Sequence, residues 1–174
     1  MSAMPTAAAD TLRFGYGETR IGTALVARSD HGVAAIFLGD DRARLRRELV
    51  EAFPTACVAE DQAALGGTVA EVVALVDAPQ LGSNLPLDLR GSALELAVWE
   101  ALRAIPSGET RTYGALAKTL PMAATAQEVG AACAANVLAV AIPCHRVVKA
   151  DGSISGYRWG VQRKRRLINM EGVA

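Results

Sequence analysis

The sequence predicts an α/β protein of the α+β kind, built as a small N-terminal α/β module followed by a mostly helical C-terminal part. Three observations carry this. Between residues 11 and 38, short apolar runs alternate with turn residues, the pattern of a strand meander. From residue 41 onward, apolar residues recur at helical spacing between Pro- and Gly-containing breaks. Of the 174 residues, 51% are hydrophobic and 21% charged, which supports a real core and excludes a disordered chain.

Leu12–Tyr16, Ile21–Arg28 and Gly32–Leu38 read as strands, with turn chemistry at Gly17-Glu18-Thr19 and Ser29-Asp30-His31-Gly32. Asp41–Phe53 reads as an amphipathic helix with Leu45, Leu49 and Phe53 on one side, ended by Pro54. Gln62–Val76 repeats that pattern through Leu65, Val69, Val72, Val73 and Val76. His31 reads as a surface turn residue and Cys57 as inert, so nothing in this half points to catalysis. Gly82, Ser83, Asn84 and Pro86 mark a linker, with a short strand expected at Leu85–Leu89. The expected division is a flexible lead (1–10), an N-terminal module (11–79), a linker (80–91) and a C-terminal part (92–174).

The C-terminal part opens on a capping box, Ser92-Ala-Leu-Glu95, followed by a stripe of Leu94, Val98, Leu102 and Ile105 that Pro106-Ser-Gly108 stops. Short helices at Thr112–Leu120 and Thr125–Ala135, separated by Pro121, fit a helix-turn-helix. The apolar run Val137–Ile142 leads into Pro143-Cys144-His145-Arg146-Val147-Val148. A turn at Lys149–Ser153, the segment Gly156–Gly160 and a basic helix, Gln162–Met170, close the chain.

Lys plus Arg equals Asp plus Glu, 18 against 18, so the global charge makes no case for nucleic acid. The balance is uneven: residues 1–91 carry 8 basic and 12 acidic side chains, residues 92–174 carry 10 and 6. That asymmetry fits an anionic partner for the second half and fits chance equally well. Three cysteines do not make a disulfide scaffold and fit a reducing compartment. No apolar run approaches the ~20 residues of a membrane span, and the N-terminus lacks the basic and apolar regions of a signal peptide. The expectation is a soluble, cytoplasmic protein with no membrane contact.

The chemistry centres on Cys144 and His145. A thiol attacks only as thiolate, and histidine is the usual proton acceptor. Adjacent strand residues point to opposite faces, so the pair cooperates only on a turn, which Pro143 favours, or through a bridging water. A buried core cysteine is the other reading, and the pattern leaves both open. Cys133, Cys144 and His145 lack metal-ligand spacing, so no metal and no cofactor are expected. Gly130-Ala-Ala-Cys-Ala-Ala135 has almost no large side chain, which suits either tight helix packing or close approach to a nucleic-acid groove.

Pro143-Cys-His-Arg-Val-Val148 resembles the active-site motif of the O6-alkylguanine-DNA alkyltransferases. Val98-Trp99-Glu-Ala-Leu102, Ile105-Pro-Ser-Gly-Glu-Thr110, Thr112-Tyr-Gly114, Ala132-Cys-Ala-Ala-Asn136 and Ser155-Gly-Tyr-Arg-Trp-Gly-Val161 follow in family order. The last two are most similar to the repair domain of bacterial adaptive-response proteins. Phe37-Leu-Gly-Asp-Asp41 and Leu87-Asp-Leu-Arg-Gly91 extend the resemblance into the first half.

The resemblance implies a ribonuclease-H-like N-terminal module and a winged-helix-like second domain. It implies a monomer in the bacterial cytosol that binds double-stranded DNA containing O6-alkylguanine. The damaged base is flipped out, at a cost of a few kcal/mol, and its alkyl group passes irreversibly to Cys144. His145 is implied as proton acceptor, Glu171 as the carboxylate that orients it, and Asn136 as the hinge. Tyr113 is implied to push on the nucleotide phosphate, and Tyr157 to stabilise the leaving guanine. Thr112, Tyr113, Thr125, Gln127, Ala132, Ala134 and Arg146 are implied to touch DNA. Pro143, Val147, Val148, Gly156, Tyr157 and Arg158 are implied to form the pocket, with backbone groups near Val147 and Arg158 reading the base edge. Gln127 stands where the family commonly has an intercalating arginine, which predicts weaker, less salt-dependent DNA binding. Cys57 and Cys133 are left as bystanders. The four-cysteine zinc module of adaptive-response proteins is absent, so a stand-alone protein or an isolated repair domain is expected. Competing readings are a lesion-binding protein and a small-molecule alkyl acceptor.

Overall fold

The computed structural model describes residues 10–172, so the expected lead, apart from Asp10, lies outside the described residues. The chain starts with an antiparallel meander of β1 (Thr11–Thr19), β2 (Gly22–Ser29) and β3 (Gly32–Gly39). Tyr16 lies opposite Leu25, and Leu25 opposite Phe37. In β3 every residue from Gly32 to Leu38 is buried, as happens where both faces of a strand are covered. Gly32 has φ 147°, and a Cβ there would meet the Pro86 carbonyl at 2.6 Å. That approach lets Val33 donate to Pro86 O and Asp88 donate to Val33 O, each at 2.8 Å. The strand expected at Leu85–Leu89 is reduced to this single bridge at Leu87.

The helix α1 (Arg42–Ala52) is capped by Asp41, whose carboxylate accepts from the backbone of Ala43 and Arg44, and it buries Leu45 and Leu49. An unexpected strand, β4 (Cys57–Glu60), pairs parallel to β1 and gives the order β3-β2-β1-β4. The next helix, α2 (Gly66–Asp77), starts at Gly66 rather than Gln62. Gln62 instead stands in for a strand: its amide accepts from Tyr16 N at 2.8 Å and donates to Tyr16 O at 2.7 Å.

In the C-terminal part, α3 (Ala93–Arg103) carries the expected capping box and buries Val98, Trp99 and Leu102. Such a cap contributes about 1 kcal/mol. Trp99 Nε1 donates to Ala132 O at 2.9 Å, tying α3 to α5 (Ala126–Ala134). Two-residue strands, β5 (Arg111–Thr112) and β6 (Val147–Val148), pair in parallel. The helix between β5 and α5 is α4 (Tyr113–Ala117), shorter than the expected Thr112–Leu120; Thr119 Oγ1 donates to Leu116 O where it ends. The last helix is α6 (Val161–Met170).

Two connections fasten the halves together. The run 137–142 lies on the edge of β3, where Ile36 N donates to Val137 O at 2.9 Å and Ala139 N donates to Ile36 O at 3.0 Å. Val140 within it has φ 68°, a strained value for a β-branched residue, held by the surrounding packing. Arg163 on α6 donates to Ile21 O, Trp159 O and Asp40 Oδ1. Buried apolar residues from both halves form one continuous core.

Candidate active site

Cys144 opens a 3-10 turn, Cys144–Arg146, directly after Pro143. The turn closes through Arg146 N donating to Pro143 O at 2.9 Å. Cys144 is buried, and its Sγ accepts from Asn136 Nδ2 at 3.3 Å. Asn136 follows α5 and is itself buried. Its amide also donates to Ile142 O at 3.0 Å, and its Oδ1 accepts from Leu138 N at 2.8 Å. One side chain thus ties the end of α5, the β3-edge segment and the thiol together.

His145 lies behind the turn with its side chain fully buried. Its Nε2 is 2.5 Å from Glu171 Oε1. Glu171, just after α6, is enclosed: Arg146 donates to both carboxylate oxygens, and Gly108 N donates to Oε2 at 3.3 Å. Burial alone would raise the Glu171 carboxyl, but the hydrogen bonds and charges of His145 and Arg146 outweigh it and hold the group at about 2. Glu171 is therefore an ionised acceptor, and Nε2 of His145 carries the proton. Nδ1 is left buried with no hydrogen-bond partner, a free lone pair. Burial lowers the His145 pKa despite the opposing carboxylate, which keeps the ring neutral. Burial also pushes the Cys144 thiol up, against the Asn136 hydrogen bond and the charges of Lys164 and Arg158. At rest the site therefore pairs a protonated thiol with a neutral base that has an unused acceptor.

A cavity of about 410 Å³ lies against Cys144, walled by Tyr113, Gly130, Cys133, Ala134, Gly156, Tyr157 and Arg158. A groove of about 440 Å³ between α3 and α4 is larger, but its walls, Ala97 to Pro121, hold no nucleophile. The Tyr157 hydroxyl is sealed and unpartnered, and its ring meets Trp159 edge to face at 5.2 Å. The Arg158 guanidinium lies 5.4 Å from the centre of the Phe37 ring, so a residue of β3 supports the cavity rim.

The structure brings Cys144, Tyr113, Ala134, Gly156, Tyr157 and Arg158 to one cavity, with His145, Glu171 and Asn136 behind it. It corrects several expectations. Arg146 was expected to touch DNA, but its guanidinium is spent on Glu171 and on Ile105 O at 2.7 Å, inside the protein. Ala132 was also in the DNA set; it is buried against the core, with its carbonyl taken by Trp99. The exposed small residues of α5 are Ala126, Ala131 and Ala134, and the last two share a face with Gln127 at helical spacing. The side chains of Val147 and Val148 are buried in β6, and Pro143 faces a separate cavity with Val140 and Ala141. Pro143 and the side chains of Val147 and Val148 therefore do not wall the cavity at Cys144, an observation that does not bear on the backbone groups near Val147.

Thr112 and Thr125 are N-caps, accepting from Ala115 N and Glu128 N at 3.1 Å each. Glu128, read from sequence as a charge near phosphate, bonds back to Thr125. The Thr-x-x-Glu spacing was the signal for that capping box. Sequence reasoning also missed Cys133, Ser155 and Lys164 as site neighbours. Among the described residues no group of three or more His, Cys, Asp or Glu could hold a metal ion, and no helix is long and apolar enough to cross a membrane.

Residues 93–173 match the family described as 6-O-methylguanine DNA methyltransferase, DNA binding domain. The chain is 46% identical over 160 residues to the bifunctional transcriptional activator/DNA repair enzyme Ada of Escherichia coli, covering 92% of this chain and 45% of the relative. It thus spans about half the length of that relative. It is 39% identical over 112 residues to a methylated-DNA–protein-cysteine methyltransferase of Mycolicibacterium paratuberculosis, covering 64% of this chain and 68% of the relative. Among solved structures, Mycobacterium tuberculosis OGT in complex with DNA matches with a TM-score of 0.74 and 31% identity, over 92% of both chains.

Proposed function

The chain belongs to the methylated-DNA–protein-cysteine methyltransferase family, and from that premise we propose that it is a single-turnover DNA repair alkyltransferase. It takes O6-methylguanine, and O4-methylthymine, from duplex DNA into the cavity and moves the alkyl group irreversibly onto Cys144. The observation that carries this is the pairing of a cavity-facing thiol, held by Asn136, with a neutral His145 whose Nδ1 is free and whose Nε2 is fixed by Glu171. On attack the thiol proton leaves to Nδ1 by way of one solvent molecule. The thiolate displaces the methyl carbon from O6, and Glu171 stabilises the imidazolium that results. A thioether has no route back, so each molecule acts once.

Duplex DNA as partner is supported by the relative solved with DNA. The docking surface proposed is α4–α5: Thr112, Tyr113, Thr125 and Gln127 with the exposed small residues Ala131 and Ala134, which allow a backbone to approach closely. We extend the reading to a monomer acting in the bacterial cytosol. The division proposed is a ribonuclease-H-like scaffold (11–79), a linker (80–91) and a winged-helix-like alkyltransferase domain (92–174).

The test is intact mass after incubation with a duplex carrying one O6-methylguanine. A gain of one methyl group, saturating at one per protein, is expected. Lesion binding with no mass gain, or labelling by small alkyl donors and not by DNA, would overturn it.

A further inference from the structure

The cavity at Cys144 lies between two segments. Gly130, Cys133 and Ala134 of α5 wall it on one side, and Gly156, Tyr157 and Arg158 on the other. The Arg158 side chain joins these walls: its Nη1 donates to Ala134 O at 3.3 Å. Arg158 and Ala134 are both exposed, so this bond lies on the solvent side of the cavity, at its mouth.

The last carbonyls of a helix lack intrahelical partners, and a basic side chain on them acts as a cap. A cap alone does not require a charge without a counter-ion. Among the described residues no carboxylate lies within ion-pair distance of Arg158. A solvent-exposed bond to a neutral carbonyl is weak, and a phosphate oxygen, being ionised, is the stronger acceptor for a guanidinium. The guanidinium also has room to turn. Arg158 borders a second cavity, of about 390 Å³, on its side facing β3 and α1.

A base seated against Cys144 leaves its own sugar and phosphate at the mouth, because the strand continues past the protein on both sides. The stripe of α5 proposed to face DNA, Gln127, Ala131 and Ala134, ends on the residue that Arg158 holds, and α5 contains no Lys or Arg. We infer that Arg158 is a latch across the cavity mouth and the phosphate-binding residue for the flipped nucleotide, exchanging Ala134 O for that phosphate when the base enters. This rests on the proposed DNA repair reading. It supplies, from the opposite wall, the positive charge that the α5 stripe lacks.

The experiment has two arms, both on the full chain. The first is methyl transfer from an O6-methylguanine duplex below saturation, measured across salt concentration. The second uses no DNA: iodoacetamide labelling of Cys144, read by peptide mapping so that Cys57 and Cys133 are counted separately. Arg158→Ala should slow the first arm about tenfold and lower its salt slope by about one charge. The same variant should label Cys144 several-fold faster, because the mouth is no longer fastened. The opposite directions are diagnostic. The Arg158 charge favours the Cys144 thiolate, so loss of charge alone would slow both arms. Arg158→Lys, which keeps the charge, should restore the salt slope.

Labelling of Arg158→Ala that is unchanged or slower would overturn the latch. An unchanged salt slope in Arg158→Ala, or a slope in Arg158→Lys as shallow as in Arg158→Ala, would overturn the phosphate contact. Wild-type protein that takes up no methyl from duplex overturns the repair reading instead, and the labelling arm still decides the latch.

Discussion

Cys133 and Cys144 face one cavity from two differently built regions. Cys133 sits within a regular helix, and burial pushes its thiol up to about 12. Cys144 is the less exposed of the two, 5% against 9%, so access does not single it out. Polar company does. Cys144 has the Asn136 amide on its sulfur and, one residue on, an imidazole with a free nitrogen; no hydrogen bond reaches the Cys133 sulfur among the described residues. A helix carries successive side chains away from each other, whereas a 3-10 turn after a proline keeps Cys144 and His145 on one short bend. That bend is in turn anchored to the edge of β3, so a sheet with no reacting residue determines where the reacting residue stands.

The sharpest way to break this contrast is to remove each sulfur. Cys144→Ser should lose methyl transfer entirely while still binding lesion-bearing duplex. Cys133→Ala should keep transfer and cost about 1 kcal/mol of stability, read by denaturant unfolding. Transfer surviving in the first, or lost in a folded second, would reverse the assignment.

Next comes the base behind the turn. Glu171→Gln should slow single-turnover transfer by about 100-fold or more, because the ring loses the carboxylate that fixes its tautomer and stabilises its charged form. The same carboxylate gives a pH signature. Its folded pKa, about 2, lies below the ordinary 4.5, so between these values the unfolded chain holds a proton that the folded chain does not. Unfolding takes that proton up, and stability falls as pH drops through this window. Glu171→Gln should remove that slope; an unchanged slope would place the acid sensitivity elsewhere.

Asn136→Ala should slow transfer about tenfold and shift its rate profile to higher pH, since the thiolate loses a hydrogen bond. It should also cost about 1–3 kcal/mol, because buried backbone groups lose partners. The smallest effect concerns docking. Gln127→Arg should raise duplex affinity several-fold and steepen its salt dependence by about one charge. Unchanged binding in a salt titration would remove α5's first turn from the interface.

Much of the fold was legible because it is local. The meander, the capping box at Ser92 and the stripe on α3 follow from turn residues and helical spacing. What escaped is tertiary. β4 has a single half-buried residue, Val58, and exists because β1 offers an edge. β5 and β6 are two residues each, and no period can be read from two residues. Gln62 left its helix to satisfy Tyr16, a contact 46 positions away. In the site, the motif around Cys144 pointed to the thiol and the imidazole, and the distant carboxylate, Glu171, came only from the family resemblance. It misassigned Arg146, because a basic residue beside a DNA-repair motif looks like a phosphate contact until Glu171 is seen to need it. Lys164 was hidden in a run of basic residues, Arg163 to Arg166, of which it alone is buried.

The most direct measurement is peptide mapping of the protein after reaction with O6-methylguanine duplex, locating the methyl by fragmentation. The account predicts S-methylcysteine at Cys144 in stoichiometric yield and unmodified Cys133 and Cys57. Methyl on Cys133, or spread over the cysteines, would contradict it, because burial in the same cavity would then suffice for reactivity and the Asn136–His145–Glu171 environment would not be its source.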